Sequence, residues 1–244
     1  MTEETNAEPG AVSTGTASIL VNVFTAPREA FAALAVRPTV LLPILALVLL
    51  NAALVAWYYS EVDTLWMLQT MLEDAGQEVP PELAGGQGGG DRMGTIMTVT
   101  ATLGAVLQIL IVLFLAAGYF SLVSLFGNDG VTFKRWLSLA AWSSMPTLLG
   151  ILSALVNVAV NDATHMRPTE LNLLSFGNLL GIDAAGAGAV RAMLLAMDPT
   201  MLWALGLMTF GYALWTRRSV AVSLAIVAAP PVLVLGGLGL IVGM

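Results

Sequence analysis

The stretch Val131–Asn161, VTFKRWLSLAAWSSMPTLLGILSALVNVAVN, decides the fold. It opens on the only adjacent Lys-Arg pair, Lys134 and Arg135, and no charged residue follows until Asp162. An α-helix rises about 1.5 Å per residue, so about 20 apolar residues cross a bilayer. Cations at one end of such a run hold that end in the cytoplasm. Pro146 stands mid-run, lacks an N–H and crowds the preceding turn, so a kink is expected there.

Composition extends this reading to the whole chain. Of 244 residues, 57% are hydrophobic and 10% charged, with a mean hydropathy of +0.85. A soluble domain carries roughly 25% charge. So few charges cannot solvate a globule of this size, and lipid must cover much of its surface. The formal charge of −7 argues against a nucleic-acid partner, because phosphate binding needs clustered cations. Cysteine is absent, which removes disulfides, thiolate metal sites and Cys nucleophiles. Lys134 is the single lysine among nine basic residues. With the Ala and Gly content, that points to a GC-rich bacterial genome.

Residues 1–17 are polar and acidic and lack a basic leader, and so read as a disordered cytoplasmic tail. Ser18–Phe24 places Ile19, Leu20, Val23 and Phe24 on one helical face, the pattern of a helix lying in the membrane interface. Thr25 is expected to cap a second short helix, with Pro27 in its first turn and Glu29 at its positive end. Arg37-Pro38 stops that helix.

Five spans follow, at about 39–59, 98–122, 136–160, 199–216 and 219–243. Trp57, Tyr58 and Tyr59 mark the far end of the first, at headgroup level. Residues 61–92 form an acidic outer loop with a short helix at Leu65–Leu72 and a flexible linker at Gly85–Gly90. Gly127–Gly130 reads as a turn. The second outer loop, 162–199, holds two apolar patches, Leu171–Leu180 and Val190–Met197. Each is too short to cross, so both should lie in the interface or dip back into it. Pro230-Pro231 is expected to interrupt the fifth span, where Gly236, Gly237, Gly239 and Gly243 leave a smooth face for a neighbouring helix.

Arg28, Arg37, Lys134, Arg135, Arg217 and Arg218 fall on one side of this arrangement, and Arg92, Arg167 and Arg191 on the other, in longer loops. The positive-inside rule then puts the N-terminus in the cytoplasm and the C-terminus outside. Arg37, Lys134, Arg135, Arg217 and Arg218 are the topology anchors.

Three blocks carry a family resemblance. Phe24–Phe31 followed by Arg37-Pro38, Val131–Arg135 leading to Trp142-Ser143-Ser144-Met145-Pro146, and Met197–Trp203 followed by Gly206 and Gly211 occur in that order. The pattern resembles the Yip1-domain integral membrane proteins of bacterial type, over most of Ser18–Val242. The resemblance implies five spans and a membrane location. The acidic Leu-Tyr-Gly-Pro signature of eukaryotic members is missing, which weakens the transfer of their role with small GTPases and vesicle membranes.

The chain holds no catalytic constellation. His165 is the single histidine and reads as solvated or interfacial, since a site needs further positioned partners. No His/Cys cluster offers a metal its three or four ligands. Asn51, Gln108 and Asn157 are the polar residues best placed inside spans. There an amide serves as helix–helix glue or lines a substrate path. Asp198 starts the fourth span as a helix cap or a coupling-ion group.

The expectation is an all-α, five-span membrane protein with short interfacial helices: a cytoplasmic tail at 1–17 and one membrane domain at 18–244. It is expected to be non-enzymatic, to need no cofactor or metal, and to sit in the bacterial cytoplasmic membrane. It would organise the lipid bilayer, a membrane-protein partner or a homo-oligomer, with Ser18–Leu34 as a wedge in the cytoplasmic leaflet. The alternative is a small permease or transport accessory, with Asn51, Gln108 and Asn157 around one cavity near Pro146.

Overall fold

The computed structural model describes residues 15–74, 76–78, 80, 90–182 and 189–242. Of the expected disordered tail at 1–17, residues 1–14 lie outside these residues, whereas Thr16 and Ala17 already form the start of a helix. Nearly all of the glycine linker, the Gly/Ala-rich piece at 183–188 and residues 243–244 also lie outside them. Among the described residues the chain is helical, without strands. The helices in order are α1 (Thr16–Thr25), α2 (Pro27–Val36), α3 (Leu41–Glu61), α4 (Thr64–Asp74), α5 (Gly90–Gly127), α6 (Phe133–Ser143), α7 (Leu148–Val160), α8 (Phe176–Leu179), α9 (Ala189–Ala196), α10 (Pro199–Thr216) and α11 (Val220–Val242).

Three helical units are long and apolar enough to cross a membrane: Leu41–Glu61, Arg92–Gly127 and Phe133–Val160. A fourth candidate is the pair Val190–Ala196 and Pro199–Thr216, bent by 75° at its break. The span expected at 98–122 is the middle of α5, whose 38 residues run past the hydrocarbon at both ends. The break expected at Pro146 is a single 3-10 turn, Met145–Thr147, joining α6 to α7.

α6 is the centre of the molecule. Every residue from Trp136 to Ser143 is buried, so this helix meets protein on all sides. Trp136 stacks on Tyr212, with ring centroids 5.2 Å apart and planes 21° from parallel, and packs against Phe120 and Trp215. Two side chains of α6 also hold the start of α3. The carbonyl of Thr39 lies outside any helix, and Pro43, four residues on, has no N–H to give it. Ser138 Oγ and Trp142 Nε1 both donate to it, each at 2.9 Å.

α1 and α2 form where their pattern placed them, but protein covers their apolar faces. Val23, Phe31 and Leu34 are completely buried. Phe24 meets Trp203 edge-on at 5.5 Å, and Trp215 Nε1 donates to the Phe31 carbonyl at 2.9 Å. These contacts run along α10, so the segment expected to wedge into lipid is part of the bundle. Thr25 is not the cap of α2. It closes α1, its hydroxyl donating back to the Val21 carbonyl at 3.0 Å. Ala26 stands at the N-cap position without a side-chain bond.

Pro230 and Pro231 do not interrupt the last helix, because α11 continues through both. Pro230 has no N–H for the Ile226 carbonyl one turn earlier, and the Tyr119 hydroxyl of α5 donates to that carbonyl at 2.9 Å. A neighbouring helix thus supplies the bond that the proline removes.

The turn between α5 and α6 is built on left-handed backbone at Asn128 and Gly130. Asp129 in this turn pairs with Arg218 at 3.0 Å. A side chain at Gly127 would run into both partners.

At the opposite end, Tyr58 donates to the Met166 carbonyl at 2.7 Å. Asp63 caps α4 through the N–H groups of Leu65 and Trp66. His165 is exposed and meets Trp66 edge-on at 5.0 Å. The Thr164 hydroxyl and N–H hold the Asp162 carboxyl below its usual range. That contribution is present above the ordinary carboxyl range and is lost as pH falls through the lowered value.

Tyr119→Phe should leave the Ile226 carbonyl unsatisfied in an apolar setting. A loss of about 0.5–2 kcal/mol is expected, read as a lower unfolding temperature in detergent.

Candidate intramembrane site

Asp198 is positioned by its own local sequence. The residue before a proline disfavours helical backbone, and Asp198 is extended at φ −139° and ψ 165°, with Pro199 in the first helical turn. One carboxylate oxygen accepts from the N–H of Thr200 at 2.7 Å and of Met201 at 3.0 Å, as well as from the Thr200 hydroxyl. These are the orphan donors of a helix start. The other oxygen accepts from Asn172 Nδ2 at 2.6 Å. Asp198 is only 3% exposed, so these N–H and O–H groups stand in for water.

Asn172 carries the network onward. Its Oδ1 accepts from Ser153 Oγ and from the Leu174 N–H, both at 3.0 Å. Gly150 makes room for the arrangement, since a Cβ there would lie 2.8 Å from the Asp198 carboxylate. Asn157, one turn past Ser153 on α7, donates to the carbonyls of Glu170 and Leu171 at 2.9 and 3.1 Å. Its own oxygen accepts from Asn161 at 2.7 Å. The residues expected to form an interfacial patch at Leu171–Leu180 are therefore fastened to α7 and to the start of α10 by side-chain amides.

Next to this network lies a cavity of about 610 Å³ between α3, α5, α7 and the α9–α10 bend. Asn51 of α3 and Gln108 of α5 both line it, together with Asn172 and Asp198. Asn157 is not on its wall; that amide is spent on the outer loop. Among the described residues neither the Asn51 nor the Gln108 side chain has a hydrogen-bond partner. Asn51 stands ten residues from each end of Leu41–Glu61, about 15 Å along the helix axis from either end. Much of the wall is aliphatic, with Leu47, Leu54, Leu113 and Ile151, and it carries no Lys or Arg.

The cations expected to anchor the topology do not line this cavity. Arg37, Lys134 and Arg217 are exposed and Arg135 is half-buried, while Arg218 is taken by Asp129. Among the described residues no group of three or more His, Asp and Glu is placed to hold a metal.

Asn172, Ser153 and Gly150 escaped the sequence reading. Asn172 sits in an apolar patch, and only its place two residues before Leu174, where it accepts a local N–H, marks it as a turn former.

The long apolar helices and their buried polar joints define an all-α integral membrane protein. A Yip1 domain family model matches residues 21–243, and the chain belongs to that family. Neither a search of curated proteins nor one of solved structures yields a match.

Asp198→Ala removes the cap and leaves Asn172 Nδ2 without its acceptor. It is expected to cost about 1–3 kcal/mol, with Asp198→Asn milder because Asn also caps, both read by thermal unfolding in detergent.

Proposed function

We propose that the protein is a five-span, non-catalytic membrane protein of the bacterial cytoplasmic membrane that organises lipid by holding it inside its helix bundle. The observation that carries this is the cavity bearing the Asn51 and Gln108 amides, close to mid-membrane and open at its side. Val112, which lines it, is 57% exposed, and so is Met201 at 43%. An amide in hydrocarbon without a partner is unfavourable, and a polar group of a bound molecule relieves it. The wedge reading is dropped, because the apolar face it needs is covered by α10.

The five-span reading rests on α10, 18 residues long, and α11, 23 residues long, each counted as a span. The cations at the α2–α3, α5–α6 and α10–α11 junctions then fall on the cytoplasmic side. The tail at 1–17 belongs to that side too, and the C-terminus lies outside.

A transport accessory is the second reading. The 75° break at the α9–α10 junction favours it, because broken helices line substrate sites in transporters.

The natural chain has no cysteine, so single-cysteine labelling reports topology directly. Ser18→Cys is expected to react only from the cytoplasmic face and Met244→Cys only from outside; both on one face would end the five-span reading. Native mass spectrometry of the protein in nanodiscs tests the holding site. Val112→Trp is expected to lower the retained lipid by about fivefold. Unchanged retention would overturn the site. Thermal stabilisation by a water-soluble solute, lost in Asn51→Leu, would instead favour transport.

A further inference from the structure

We infer that the cavity selects an amphiphile with an uncharged, hydroxyl-bearing head, of the diacylglycerol kind, taken sideways from the membrane. This rests on the reading of the cavity as a lipid-holding site and assigns the chemistry of what it holds.

The first argument is the free hydrogen-bonding capacity of the wall. Asp198 already accepts four bonds, from two N–H groups, one hydroxyl and one amide. It has no remaining place for a cation. Asn172 gives one N–H to Asp198 and accepts two bonds. The hydroxyls of Ser144 and Thr147 donate back to the carbonyls of Ala140 and Ser144 at 2.9 and 2.7 Å. What is left in the wall is the amides of Asn51 and Gln108, unpartnered among the described residues, with the exposed Thr169 hydroxyl and one N–H of Asn172 at its rim. The Asn51 and Gln108 amides each offer an N–H donor and a carbonyl acceptor. A hydroxyl, which donates one bond and accepts two, matches such a pair.

The second argument is charge. A phosphate head needs cations or a run of free N–H groups. The wall has no Lys or Arg, and its one carboxylate would repel an anion. Depth points the same way. A charged group at the bilayer centre costs about 2.5–3.5 kcal/mol or more, whereas an uncharged head reaches that level without this cost.

The third argument is size and access. The volume of about 610 Å³ falls in the roughly 300–1,000 Å³ span of small-ligand sites. Gln108 and Val112 of α5 and Met201 of α10 both line the cavity and are exposed, so its mouth faces the acyl chains. A water-soluble ligand has no advantage at such a mouth.

The test uses the full chain in phosphatidylcholine nanodiscs with three photoactivatable probes that share the same diazirine-bearing acyl chains. The probes are a diacylglycerol, its acetate ester lacking the hydroxyl, and the corresponding phosphatidic acid. Labelling of peptides from α3 and α5 is read by mass spectrometry. The diacylglycerol is expected to label about fivefold more than either competitor, and Asn51→Leu with Gln108→Leu should erase that preference. Should the double variant lose monodispersity, Gln108→Leu alone supplies the same ratio, because Gln108 is exposed and holds nothing in place. Equal labelling by phosphatidic acid or by the acetate ester overturns the head-group assignment and leaves a lipid site standing. Absence of cavity labelling by all three probes overturns both.

Discussion

In hydrocarbon no water is available to satisfy a backbone N–H or C=O, so each must be met inside the protein. This constraint explains the polar side chains of the structure better than any catalytic purpose does. At several points where helical bonding fails, a specific side chain has moved in. The Thr39 carbonyl is met from α6 by Ser138 and Trp142. The Ile226 carbonyl, orphaned by Pro230, is met by Tyr119. The first turn of α10 is met by Asp198, and two carbonyls of the outer loop by Asn157. Two of these four bonds, at Thr39 and at Ile226, tie elements about a hundred positions apart in sequence, while the other two act within a helix start and a neighbouring loop.

These ties give α6 its central place. A helix enclosed on every side must supply both packing and polar partners to several neighbours. Its Trp136, Ser138 and Trp142 do so for α5, α10 and the start of α3. The Asp129–Arg218 pair adds a link between two loops at one end of the bundle, with Asp129 nearly buried and Arg218 reaching it from a more open position. Such a pair is worth more for fixing geometry than for net stability.

Among the described residues, the hydroxyls of Ser143, Thr209, Tyr212 and Ser223 and the indole N–H of Trp136 are also buried without a partner, but among the amides around the cavity Asn51 and Gln108 stand apart. Every other amide near the cavity has an assignment in the fold: Asn157 to the loop, Asn161 to Asn157, Asn172 to Asp198. The amides left over face the same opening, from different helices. That contrast, more than the size of the cavity, is what supports the proposed binding site. The Yip1 domain match over residues 21–243 sets the class of protein and leaves its ligand to be read from such chemistry.

The sequence by itself determined the class, because composition and uncharged runs measure the cost of leaving apolar surface in water, a quantity summed residue by residue. It also determined the break at Pro146, the cap at Asp198 and the turn at Gly127–Gly130, which follow from backbone chemistry within a few residues. It did not determine that α1 and α2 face protein, since an apolar stripe looks the same whether lipid or another helix covers it. Nor could it show that α11 survives Pro230-Pro231, for the rescuing hydroxyl comes from Tyr119, 107 positions away. The three span amides read alike in sequence. Only tertiary structure separated Asn157, bound to a loop that folds back onto it, from Asn51 and Gln108, because a hydrogen bond is decided by which groups meet and not by which residues are present.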